Sequence, residues 1–151
     1  MTPALERLFA IAAIFSLVCG SGCSSESSTP PSAVTQTIGP EGGTIAVGGA
    51  TVTFPKGALG ASKSITISTT DVAPQGFVVL SHVFRCEPSG TEFAQPVTMQ
   101  MPFTDDGKGG TLFWSEGADP TFKDLGGSVS GTTVIATVKH FSSGFVGRKE
   151  K

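Results

Sequence analysis

Two histidines, three cysteines and one tryptophan are the scarce side chains of this 151-residue sequence, and each could do chemistry. His82 and His140 are far apart in sequence, with no further ligands spaced around them, so the pattern does not build a zinc site. Asp105-Asp106-Gly107 offers carboxylates to calcium but lacks the spaced acids and closing glutamate of a calcium loop, and reads better as a solvated hairpin tip. Trp114 could stack on a sugar. With no tyrosine and no aromatic series beside it, it fits a core or rim position better. Of Cys19, Cys23 and Cys86, the last lies in Val83-Phe84-Arg85-Cys86, where a buried thiol behaves as a small hydrophobe. The alternative, a reactive thiol, has no histidine or helix N-terminus evident beside it to support it. No metal cluster, phosphate loop or nucleophile–base–orienter set emerges, and no cofactor is expected.

The elements that must position these residues begin with an export signal. Arg7 precedes the apolar run Leu8–Val18, and Cys19-Gly20-Ser21-Gly22-Cys23 closes it with small residues. The run is shorter than the roughly 20 residues a membrane helix needs. The segment resembles a bacterial lipoprotein signal, in which the cysteine after the small residues becomes the lipidated N-terminus. Ser21 and Gly22 fit that pattern at Cys23, while Gly20 stands where an aliphatic is usual. Ordinary signal cleavage and a free secreted domain is the alternative. Cleavage before Cys23 removes Cys19, and lipidation consumes Cys23, so Cys86 would have no partner for an intramolecular disulfide. The expected organisation is a signal peptide over 1–22, which would be helical, a disordered Ser/Pro tether over 23–33, and one domain over 34–151. The expected location is the cell envelope, outside the cytoplasm, with membrane contact through the N-terminal lipid. Formal net charge is −2 with no basic patch, which argues against nucleic acid.

Twenty glycines, ten prolines and short alternating runs predict an all-β chain. Gly42-Gly43 and Gly48-Gly49 bracket Thr44–Val47, and Thr51–Phe54 follows, a hairpin with Ile45, Val47, Val52 and Phe54 turned inward. Pro55 ends that strand, and Ala58 and Leu59 tuck beneath the turn. Further strands are expected at Val34–Ile38, Lys63–Thr70, Phe77–Leu80 with His82–Glu87 (one broken strand or two), Val97–Met101, Thr111–Trp114, Phe122–Leu125 and Thr132–Val138. Phe145-Val146 closes the series. Thr104–Gly110 is expected as a hairpin-type loop, and Glu116–Pro120 as a turn. Regular spacing of short strands between turn signals predicts an antiparallel β-sandwich.

The chain resembles the ZU-five domain of zonula occludens proteins, Unc-five netrin receptors and ankyrins. Gly42-Gly43-Thr44 with Val52–Leu59 carries the likeness. So do Phe84–Phe93 with Pro96-Val97, Trp114 with Lys123-Asp124-Leu125, and His140-Phe141-Ser142. It spans about Thr37 to Val146. The resemblance implies an interaction or structural module, with an unidentified protein or cell-wall partner, rather than a metabolic enzyme. It also implies a second possibility. His140-Phe141-Ser142 is similar to the site at which some family members cut themselves. There Ser142 Oγ would attack the Phe141 carbonyl with His140 relaying the proton, which requires a strained turn. The alternative gives these residues structural work: Phe141 in the core, His140 capping a strand, Ser142 and Ser143 bonding backbone. The structural alternative is favoured, since a tripeptide alone is a weak catalytic signal.

Overall fold

β-Branched residues alternating with polar ones, cut by glycine and proline, leave no helical period to compete with strands. The computed structural model describes residues 32–116 and 121–151. Twelve strands run through them. They are β1 Ala33–Ile38, β2 Gly43–Val47, β3 Ala50–Phe54, β4 Lys63–Thr70, β5 Phe77–Val79 and β6 Val83–Glu87. The second half holds β7 Glu92–Pro102, β8 Thr111–Ser115, β9 Phe122–Gly126, β10 Ser128–Ser130, β11 Thr133–His140 and β12 Ser143–Lys149. No helix occurs among the described residues. One sheet has seven strands in the order β1-β4-β6-β12-β8-β9, with β5 also on β12; the other has five, ordered β10-β11-β7-β3-β2. The strand pairs are antiparallel throughout. The chain is therefore the expected all-β sandwich. The signal segment 1–22 with its helix, Cys23 and the tether up to residue 31 lie outside the described residues.

Local chemistry accounts for most boundaries. Gly48 and Gly49, with φ of 56° and 79°, make the two-residue turn between β2 and β3 that the hairpin's twist demands. Gly42 also has positive φ, but Gly43 is extended and opens β2, so only one residue of that pair serves the turn. β1 begins at Ala33, which takes the last residue of the expected tether into the sheet. Phe77–Glu87 resolves into two strands. β7 runs through Pro96 because the pairing with β11 shifts register between Val138 and His140, and a bulge tolerates a missing N–H. β10, short and fully exposed, was not expected.

The loop Thr104–Gly110 corrects one expectation. It is not a hairpin tip, because β7 and β8 belong to different sheets. Asp106 anchors it: Arg148 Nη1 donates to Oδ1 at 3.0 Å and Nη2 to Oδ2 at 2.5 Å. The guanidinium, chiefly through this hydrogen bond, holds the Asp106 carboxyl below its ordinary pKa. Glycine and aspartate mark a turn in sequence, but they do not say in which sheet the next strand lands.

The inward faces meet in one core. Ile45, Val47, Val52, Phe54, Ile65, Ile67, Met99 and Met101 are all buried there, with Ala58 and Leu59 beneath the turn after Pro55. Burying one such large side chain contributes about 1.5–3 kcal/mol. A second cluster sits on the outer face of the seven-stranded sheet, where Phe113 and Phe145 stack at 5.6 Å beneath Phe77, Val79 and Phe122. Trp114 packs directly over Gly144: a Cβ there would lie 2.6 Å from the Phe113 carbonyl oxygen and run into the indole, so only glycine fits.

Cys86 belongs to that core, fully buried and unbridged. Burial, with a lesser contribution from the Glu87 charge, pushes its thiol from 9.0 up to about 12. A folded pKa above the unfolded one favours the native state fully below about pH 9, and that contribution disappears as pH rises through about 12. At pH 8 a thiol reagent should leave Cys86 unmodified in the native protein and label it promptly in denaturant. Peptide mass mapping reads the difference, and fast native labelling of Cys86 would contradict its placement.

Candidate functional site

Because β11 lies in one sheet and β12 in the other, Phe141 and Ser142 carry the chain across the end of the sandwich. A crossing residue must bury its side chain while its backbone leaves one ladder for another. Phe141 does so against the rings of Phe93, at 4.8 Å, and Phe54, at 5.7 Å, both edge to face. Its N–H donates to the Thr91 carbonyl at 2.9 Å, and its own carbonyl accepts the Gly90 N–H at 2.8 Å. The Ser142 carbonyl accepts the Cys86 N–H at 2.9 Å. The link 88–91, which crosses between β6 and β7, is thus bonded to the crossing at 141–142.

The side chains converge on Ser115, at the end of β8. Ser142 Oγ and Ser115 Oγ share a hydrogen bond of 2.5 Å, both buried. The Ser143 N–H donates to Ser115 Oγ at 3.2 Å. His140 Nε2–H donates to the Ser115 carbonyl at 3.2 Å, and Trp114 Nε1–H donates to the His140 carbonyl at 3.2 Å. No motif flags Ser115 in the sequence; it is 25 residues from His140 and is brought in only by sheet pairing. The expected trio His140, Phe141 and Ser142 is therefore assembled, but around Ser115. Among the described residues no non-glycine residue adopts a left-handed backbone, so the turn lacks that form of strain.

The other chemistry-bearing residues are dispersed. Trp114 is fully buried under Gly144, which removes the sugar platform that an exposed indole would have supplied. His82 Nδ1 pairs with Asp71 Oδ1 at 2.5 Å near the start of β6. Asp105 Oδ1 accepts the Gly107 N–H and Asp106 is taken by Arg148, so both carboxylates serve the loop itself. No group of three His, Cys, Asp or Glu side chains among the described residues is arranged to hold a metal ion. Cys23 lies outside the described residues.

Of the exposed large apolar side chains among the described residues, Val72 lies in the loop between β4 and β5, and Leu125 and Val129 lie on lateral strands. β9 and β10 edge different sheets and join at Gly126-Gly127, a corner where Leu125 is 43% and Val129 54% exposed. Exposed apolar side chains mark contact surfaces where they form a contiguous patch, and are ordinary where they stand singly. Leu125 borders a groove of about 540 Å³ with Ser128, Ile135 and Thr137, and Val129 borders a separate one of about 620 Å³ with Phe113, Asp124 and Arg148. Lys123 Nζ donates to Glu116 Oε2 at 2.6 Å on the same edge. Sequence reasoning missed Val129, because a three-residue strand with one apolar side chain gives no period.

The fold agrees with what comparison finds. A family model for the ZU5 domain matches residues 34–112, just over half of the chain, from β1 into β8. No curated protein matches the chain. ZU5 domains are β-sandwich modules of protein–protein interaction rather than enzymes. The crossing at His140–Ser142 and the Leu125–Val129 corner lie beyond the matched residues, which extend over β1 to β7 and the start of β8. The chain belongs to the ZU5 domain family.

Proposed function

We propose that this protein is an exported interaction module of the cell envelope, leashed by lipid at Cys23 and presenting the Leu125–Val129 corner to a protein partner. The observation that carries this reading is the exposure of Leu125 and Val129 where two sheet edges meet, each beside its own groove. Export is supported by Arg7, the apolar run Leu8–Val18 and the small residues before Cys23. Stable attachment takes two lipid signals, which multiple acyl chains on one cysteine supply. Ser24–Pro31, rich in Ser and Pro, has the composition of an extended spacer of up to about 3 Å per residue. A cell-wall partner is the alternative occupant of the same corner. The formal charge of −2 and the lack of a basic run disfavour nucleic acid.

Self-cleavage between Phe141 and Ser142 is a second reading. The observation favouring it is the Gly90 N–H on the Phe141 carbonyl, the placement of a donor that would polarise that bond. Against it stand the absence of left-handed strain and the bond from His140 Nε2 to the Ser115 carbonyl. The structural role is the better account, and the protein is not proposed as an enzyme.

Two measurements test these statements. Pull-down from envelope extract with the wild-type chain should capture a partner that the double variant Leu125→Asp/Val129→Asp loses by tenfold or more, with the β circular dichroism spectrum retained. Equal capture by both would remove the corner from the account. Intact mass of the envelope-purified chain should show a single species that starts at acylated Cys23 and keeps Phe141 joined to Ser142. An unacylated species would refute the leash, and a break between Phe141 and Ser142 would establish the second reading.

A further inference from the structure

The four lateral edges of the sandwich are not alike. β9 carries Lys123 and Asp124 and a bulge where it pairs with β8, and β10 has only three residues. Charge, bulging and brevity are the devices that keep sheet edges from recruiting another strand. β1, Ala33–Ile38, and β2, Gly43–Val47, have neither charge, proline nor bulge; β1 is the longer, with six residues in unbroken register against β4. The Thr69 N–H donates to the Ser32 carbonyl, so the ladder bonds to β4 fall on Ser32, Val34, Gln36 and Ile38. The N–H and C=O groups of Ala33, Thr35 and Thr37 therefore point to the open side, and all three residues are exposed.

We propose that the β1 edge pairs antiparallel with β1 of a second copy of this chain. A twofold axis through Thr35 sets Thr35 opposite itself, Ala33 opposite Thr37 and Val34 opposite Gln36. In this register every outward backbone group of one copy meets its complement on the other. No charge is placed opposite a like charge, whereas the same operation on β9 would oppose Asp124 to Asp124 or Lys123 to Lys123. The side chains also match. Thr35 Oγ1 already shares a hydrogen bond of 2.8 Å with Thr66 Oγ1, and the second copy extends that row of hydroxyls across the axis. A six-residue edge buries less than the ~1,200 Å² of stable complexes, so the association is reversible and favoured by crowding two leashed domains on one surface. It uses a different edge from the Leu125–Val129 corner and stands whether or not that corner binds a partner.

Disulfide trapping in the exported full chain tests it. Thr35→Cys places a thiol on the axis, and Asp124→Cys places one on the charged edge. After mild oxidation, a non-reducing gel should show a dimer for Thr35→Cys at five times or more the level of the parent chain and of Asp124→Cys. Adding Thr37→Pro to Thr35→Cys removes an outward N–H without removing a β4 ladder bond, and should cut that dimer severalfold. A Thr35→Cys dimer no stronger than the Asp124→Cys control overturns the proposal. So does a cross-link from residue 35 to a different protein, which would leave the Leu125–Val129 corner untouched as a separate site.

Discussion

The sandwich depends on one constraint: a chain that changes sheets must bury the residue at the crossing and still bond its backbone. Phe141 meets it. Its ring closes the end of the core against Phe54 and Phe93, while its N–H and C=O bond the link 88–91, which crosses between the same two sheets. Each crossing thereby supplies the partners the other lacks. Removing the ring would open a cavity against Phe54 and Phe93 at the junction of β3, β7 and β11. His140, Ser142 and Ser115 extend the same junction outward, so a tripeptide with the residue types of a reaction centre is occupied in joining two layers.

The lateral sides are where this domain is proposed to meet other molecules. Its two lateral sides differ in kind. On one, β9 and β10 combine charges, a bulge and short length with two exposed apolar side chains. That is an edge closed to strand addition but open to side-chain contact. On the other, β1 keeps a regular uncharged ladder with outward backbone groups. The proposed recognition of a foreign partner at one side and the proposed pairing with a second copy at the other need opposite edge chemistry. On the proposed reading, the function of this interaction domain lies in these surfaces rather than in its core.

Much of the fold was legible because it is local. β4 lies on Lys63–Thr70 as its alternation predicts, with Ile65 and Ile67 inward, and the Gly48-Gly49 turn follows from two adjacent left-handed residues. Features set by distant pairing were not legible. The loop 104–110 has the composition of a hairpin tip, yet its anchor Arg148 lies 42 residues from Asp106 and its strands belong to different sheets. The outer cluster of Phe77, Phe113, Phe122 and Phe145 is invisible to a rule that gives each strand one apolar face. Of the candidate site, His140, Phe141 and Ser142 were visible as a motif, and Ser115, on which they converge, was not. The Trp114 indole was an open question in sequence, and Gly144 decides it by leaving room for the ring inside.

The claim that Phe141 locks the two sheets is the one most directly open to measurement. The equilibrium unfolding free energy of Phe141→Ala, compared with wild type by urea denaturation, reads it. A loss of about 3–5 kcal/mol, or failure to fold, is the outcome expected of an aromatic plug removed from a closed core. A loss below about 1 kcal/mol, the range of surface substitutions, would mean that the sheets are held together elsewhere.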